Sequence, residues 1–322
     1  MTAVPKVELH VHLEGTAPPD LIRRIAERNG LPVPEGVFAA PDRFAYTDFL
    51  DFLKTYDKAA SVIRTGEDYR DITYEYLMSC AAEGAIYVEL TASPDHAKLV
   101  GLTDEEHLDG IARGIDDARA EGGIEGRILI SCVRNFGVEP ALRVARYAAE
   151  LPHPYVVGFS MAGDEENYPP AAYAEAFEIA AAAGLGCSVH AGEWAGPESV
   201  REGLGLPVSR IGHGVRSIED PALVEELAER GTVLEVCPTS NVVLGIYPTY
   251  EEHPLPRLMD AGVRVTLGSD DPPYFGATIG GEYAVCAEHF GLDDEALGGI
   301  TRTAIEAAFC EQTLKQELTQ TV

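Results

Sequence analysis

Residues 7–16 of the chain read VELHVHLEGT. His10 and His12 stand two apart in an apolar alternation, and Glu14 follows. Alternation along a strand puts both imidazoles on one face, with Cα atoms about 6.5–7 Å apart. Two ring nitrogens so placed can meet one ion at about 2.0–2.1 Å each. Val11 points to the opposite face, where a hydrophobe suits the packing of a strand against helices. Further polar residues of the same kind recur far along the chain: His190 with Glu193 after it, His213 between two glycines, and Asp270 with Asp271. Three imidazoles and a carboxylate suit zinc, with iron, cobalt or manganese as other divalent choices. A fourth protein ligand leaves a five-coordinate site for water, whose pKa the ion would bring toward neutrality.

These residues need a scaffold that gathers them. Short β-rich runs alternate with longer helical patterns: residues 6–12, 85–91, 127–133, 155–161, 185–190, 208–213, 232–237 and 263–270. Between them lie segments such as DPALVEELAERG at 220–231, apolar at helical spacing and stopped by Gly231. Eight such units predict an α/β fold, a (β/α)8 TIM-type barrel of parallel strands. An open doubly wound sheet is the alternative, disfavoured because no Gly-rich phosphate loop follows the first strand. In a barrel the first, fifth, sixth and eighth strands end on one rim, so the four polar motifs converge there. The fourth strand, YVVGFSM, carries no lysine to bridge two ions, which favours one metal. Residues 17–80 and 285–322 carry extra helix. The first of these is expected to cap the barrel mouth within a single domain spanning 1–322.

Composition narrows the partners. Among 322 residues, 24 Lys plus Arg oppose 53 Asp plus Glu, a net charge of −29. Such a surface repels nucleic-acid phosphate and anionic lipid, so the expected partner is a small molecule. The six cysteines form no CxxC pair and read as buried thiols. No signal-peptide pattern and no apolar stretch of about 18 residues is present. These features together predict a cytoplasmic protein. Oligomeric state is not encoded in any of them.

ELHVHLEGT, MAGDE at 161–165, VHAGEW at 189–194, RIGHGV at 210–215, CPTSN at 237–241 and GSDDPPYF at 268–275 together resemble the adenosine deaminases and their adenine-deaminase relatives, within the amidohydrolase superfamily. The resemblance implies that His10, His12, His190 and Asp270 are the ligands of one zinc ion. It implies that Glu193 protonates purine N1, and that His213 orients the attacking water and shuttles its proton. It further implies that Asp271 hydrogen-bonds N7 and that the Gly163 N–H faces N3. The chemistry agrees: protonation at N1 makes C6 electrophilic, and a buried carboxyl keeps the proton that this requires.

The substrate cues diverge. Glu14 stands where relatives acting on adenosine usually have Asp contacting the ribose 5′-hydroxyl; Glu there, and SDDPPYF, resemble the adenine group. HAGEW departs from that group's HAGEEG. The sequence reading favours adenosine, with 2′-deoxyadenosine, and keeps adenine and an aminofutalosine as alternatives. Ser240 and Asn241 read as loop hydrogen-bonders, and Trp194 as a pocket wall or an ordinary packing residue. The signature of polynucleotide deaminases, H-x-E…P-C-x-x-C, is absent.

Overall fold

The computed structural model describes residues 3–150 and 153–322. Eight strands form one sheet in chain order: β1 Lys6–Glu8, β2 Ala85–Ala92, β3 Glu125–Val133, β4 Val156–Ala162, β5 Gly186–Ala191, β6 Arg210–His213, β7 Val233–Val236 and β8 Arg264–Leu267. Every neighbouring pair is parallel. The eight strands expected from the sequence are these eight. The chain is therefore a (β/α)8 barrel.

Local chemistry accounts for the helices between them. Asp220 accepts the N–H groups of Ala222 and Leu223 and caps Pro221–Arg230, which starts on proline and stops at Gly231 with φ +67°. Proline tolerates the first turn, and glycine reaches the left-handed conformation without a Cβ clash. Apolar faces of such helices close over the strands in one large core that includes Val11, Leu90, Ile130, Val189 and Leu234.

The barrel closes late in sequence and at the rim. Beyond Glu8 the first strand leaves the regular ladder; Val11 pairs with Asp270 and His12 with Thr91 as single bridges. The His12 N–H donates to the Asp270 carbonyl at 3.0 Å, and the Asp270 N–H to the His10 carbonyl at 3.2 Å.

Between β1 and β2 lie helices Pro19–Arg28, Phe49–Ala60 and Gly66–Ala82, with a small hairpin pairing Phe38–Ala40 to Arg43–Phe44. Gly66–Ala82 packs along Asp104–Gly122, and its Tyr69 reaches Glu14. Phe44 stacks on Tyr274 at 3.8 Å, and Tyr46 donates to the Tyr274 carbonyl. Both contacts tie the hairpin region to the short helix Pro272–Phe275 after β8. After that strand come Ile279–His289, Asp294–Ala307 and Gln312–Thr319, the additional C-terminal helices. All six cysteines are buried and free. Among the described residues no helix is long and apolar enough to cross a membrane.

Candidate active site

The barrel rim brings together the residues the sequence marks. His12 and His190 present their Nε2 atoms 3.1 Å apart. Asp270 Oδ1 lies 3.3 Å from His12 Nε2 and 3.5 Å from His10 Nε2. Ligands about 2.0–2.2 Å from one ion stand roughly 3–4 Å from each other, so these separations fit a shared ion. His213 Nε2 lies 4.0 Å from Asp270 Oδ2 and 3.6 Å from Glu193 Oε2. It thus borders both the cluster and the proposed proton donor.

The donor set is oriented from behind. His10 Nδ1–H donates to Glu235 at 2.9 Å, which leaves Nε2 facing the cluster, buried and without a hydrogen-bond partner. That orphaned nitrogen is what a metal site needs. Glu235 is itself held by Ser188 and by Arg210, whose guanidinium also pairs with Glu89 at 2.6 Å. Burial works against a proton on His10, yet Asp270 and Glu235 raise its pKa to about 10. Burial, reinforced by the neighbouring imidazoles, holds His190 well below its ordinary value, in the neutral form that binds metal.

Backbone strain marks the same place. His213 and Asp270 are the two non-glycine residues with positive φ among those described, at +59° and +64°. Such conformations cost on the order of 1–3 kcal/mol each and persist only where surroundings impose them. For Asp270 the restraint is explicit. Glu8 accepts the Ser269 N–H and hydroxyl at 2.8 and 2.6 Å, and Ser240 donates to Asp270 Oδ2 at 2.6 Å.

A chain of hydrogen bonds sets the tautomer of His213. The Leu255 N–H donates to His253 Nδ1, so His253 carries its proton on Nε2 and donates it to Asn241 Oδ1 at 3.1 Å. Asn241 Nδ2–H then donates to His213 Nδ1 at 3.3 Å. Neutral His213 therefore has an Nε2–H pointing into the site. Burial, with the nearby imidazoles, depresses its pKa to about 3 even though Asp270 opposes this.

Two carboxyl groups are set up as acids. Burial first, then the Asp270 charge, pushes both Glu193 and Asp271 well above the ordinary carboxyl range, and Glu165 adds to the effect on Glu193. Asp271 Oδ1 is buried with no partner. Gly15 makes room for it: a Cβ there would meet that oxygen at 1.8 Å. Gly163, at φ +110°, lines the pocket.

The pocket is walled by Thr91, Ser131, Gly163 and Leu244 around the rim residues. Its outer wall comes from Phe49, Phe52, Leu53 and Tyr56 of the helix Phe49–Ala60. Glu14 is buried in the wall. It accepts the Ser93 N–H at 3.1 Å and the hydroxyls of Tyr69 and Tyr56 at 3.3 and 3.4 Å. Trp194 stacks on Phe49 at 4.6 Å, behind the lining rather than in it.

Sequence reasoning missed the supporting groups: Glu8, Glu165, Glu235, His253 and the cap residues of the pocket. For Glu8 a signal was present, since it lies two residues before His10 and shares its inward face. Glu235 likewise sits at an inward place in an apolar strand, where a charge requires a partner.

A barrel with this rim of imidazoles and carboxylates has the architecture of a hydrolytic deaminase, with a donor set that could hold a metal ion. The profile of the adenosine deaminase family matches residues 5–322, and the chain belongs to that family. It is 50% identical to an adenine deaminase of Chelativorans sp. strain BNC1, over 97% of this chain and 96% of that one. The adenine deaminase of Agrobacterium fabrum is 47% identical with the same coverages. Among solved structures, an adenine deaminase from Arthrobacter aurescens superposes with a TM-score of 0.91 at 29% identity, covering 99% of this chain and 98% of its own. An amidohydrolase from Burkholderia ambifaria with bound zinc gives 0.89 at 26% identity, covering 98% and 91%.

Proposed function

We propose that the chain hydrolyses adenine to hypoxanthine and ammonia. The observation that carries this reading is the kinship with full-length relatives at 46–50% identity that bear the name adenine deaminase. It displaces the preference for adenosine drawn from HAGEW. One feature of the site agrees: the Glu14 carboxylate lines the pocket and offers an acceptor for the N9–H that a nucleoside lacks.

The donor set fits one zinc ion held by His10, His12, His190 and Asp270, and that ion would lower the pKa of the attacking water. Glu193, kept protonated by burial, donates to N1 and makes C6 electrophilic. Asp271, also protonated, donates to the N7 lone pair and fixes the ring in its plane. The Gly163 N–H serves N3. His213 offers Nε2–H to the water oxygen and orients it toward C6. As the oxygen adds, one water proton passes to the Glu193 carboxylate, 3.6 Å from His213 Nε2, while His213 keeps its own proton on the oxygen. Glu193 gives that proton to the amino nitrogen, which departs as ammonia, and takes the remaining hydroxyl proton as the C6 carbonyl forms. Buried thiols are in keeping with a reducing cytoplasm.

The test is a kinetic panel of adenine, adenosine, 2′-deoxyadenosine and 6-amino-6-deoxyfutalosine, followed by ammonia release, on enzyme assayed for metal. Adenine should have a kcat/KM at least about 100-fold above the others, with one equivalent of zinc per chain. A nucleoside turned over faster than adenine would overturn the substrate assignment.

A further inference from the structure

Glu165 closes the MAGDE stretch, two residues beyond Gly163, and is buried. Its carboxylate lies beneath the turn that follows β5. One oxygen accepts the N–H of Gly192. The other accepts those of Glu193, Trp194 and Ala195 at 3.1, 2.8 and 3.2 Å. Residues 192–195 lie in neither strand nor helix, and Gly192 turns the chain at φ +73°. Without Glu165 these four amides would have no regular ladder to join, which is costly for buried N–H groups.

The carbonyls of the turn are held from other directions. Arg134 donates to His190 O at 2.6 Å, the Gly214 N–H to Ala191 O at 3.1 Å and the Arg216 N–H to Gly192 O at 2.9 Å. The Arg216 guanidinium donates to the Trp194 carbonyl. The amide side of the turn therefore depends on one side chain from a different strand end. Four charge-assisted bonds from a rigid carboxylate fix both the position and the tilt of the peptide planes. Glu193 is the second residue in that grip.

We propose that Glu165 is a positioning residue for Glu193: by binding the amides of 192–195 it sets the direction in which the Glu193 carboxyl enters the pocket. The assignment rests on the deaminase reading of Glu193 and adds the group that aims it. Glu165 contributes no atom to the pocket lining; apart from these amides it reaches the site only through its charge, which acts on the same Glu193.

The test uses the full-length, metal-loaded enzyme. Glu165→Gln keeps the shape but sets an NH2 against N–H donors. It should lower kcat about 100-fold, as an ångström-scale displacement of a reacting group does, with KM within about threefold and metal content unchanged. In a Glu193→Gln background the same change should cost less than about threefold, because the group it aims is already gone. Amide exchange over 192–195, read by mass spectrometry, should accelerate at least about tenfold while the other strand ends keep their protection. Should Glu165→Gln not fold, Glu165→Asp retains the charge but is too short for all four amides, and should show the same pattern in smaller measure. Wild-type kcat in these variants, an equal loss with and without Glu193, or unchanged exchange would overturn the proposal. Kinetics use whichever purine the wild type turns over, and exchange needs no substrate. A failed substrate assignment is thus distinguished from a failed role for Glu165.

Discussion

The two ends of the pocket are built on different principles. At the deep end the polar groups come from the ends of barrel strands or the residues just beyond them, and several are held by a partner from elsewhere in the barrel. His10 leans on Glu235, Asp270 on Ser240, and Ser269 on Glu8. At the outer end the walls are aromatic and aliphatic side chains of the helix Phe49–Ala60, joined to the barrel by stacking of Phe49 on Trp194 and Phe44 on Tyr274. Directional bonds secure chemistry at one end. Shape contributes most of what the helix Phe49–Ala60 offers at the other. Substitutions at the deep end should therefore cost turnover or metal, and those at the outer end should change apparent affinity.

His12→Ala should have the largest effect, with metal lost on dialysis and kcat reduced by at least about 10³-fold, the scale of losing metal stabilisation of the transition state. Full metal occupancy in that variant would show that His12 is not a ligand. Glu193→Gln should keep the metal yet lose about 10²–10³-fold in kcat, within the usual range for a general acid. Near-native turnover would remove it from the mechanism. Glu235→Gln should weaken metal binding about 10–100-fold in a chelator competition, because His10 loses its orienting carboxylate. Unchanged affinity would reduce Glu235 to a packing role. Phe49→Ala should be mildest, raising KM about 3–10-fold at nearly constant kcat, as expected for one aromatic stack. A loss confined to kcat would mean that the cap shapes chemistry as well as entry, and the contrast between the two ends would fail.

The deep end was the legible one. Metal-binding residue types are rare in apolar strands, so His10, His12, His190 and Asp270 stand out against their neighbours, and the alternation of strands and helices places them on one rim. The cap was expected over the mouth, but its contributions to the pocket were not. Phe52 and Tyr56 look like any amphipathic core positions, since nothing in a 3.6-residue period distinguishes a ligand-facing ring from one facing other side chains. Glu165 was hidden for a different reason. It takes part through backbone amides, which leave no mark on the residue types they belong to. His253 is similar: an isolated histidine acquires meaning only when its ring is seen between Leu255 and Asn241.

The backbone bonds that join His10 and His12 to Asp270 are also those that seal the barrel. They link positions some 260 residues apart, so the contact is among the most non-local the chain makes and is slow to form. Until residue 270 has been synthesised and has swung back to the amino-terminal strand, the three imidazoles face an incomplete ring. On the proposed ligand set a nascent chain would have no finished place to keep an ion, and metal uptake would report that the last seam has closed.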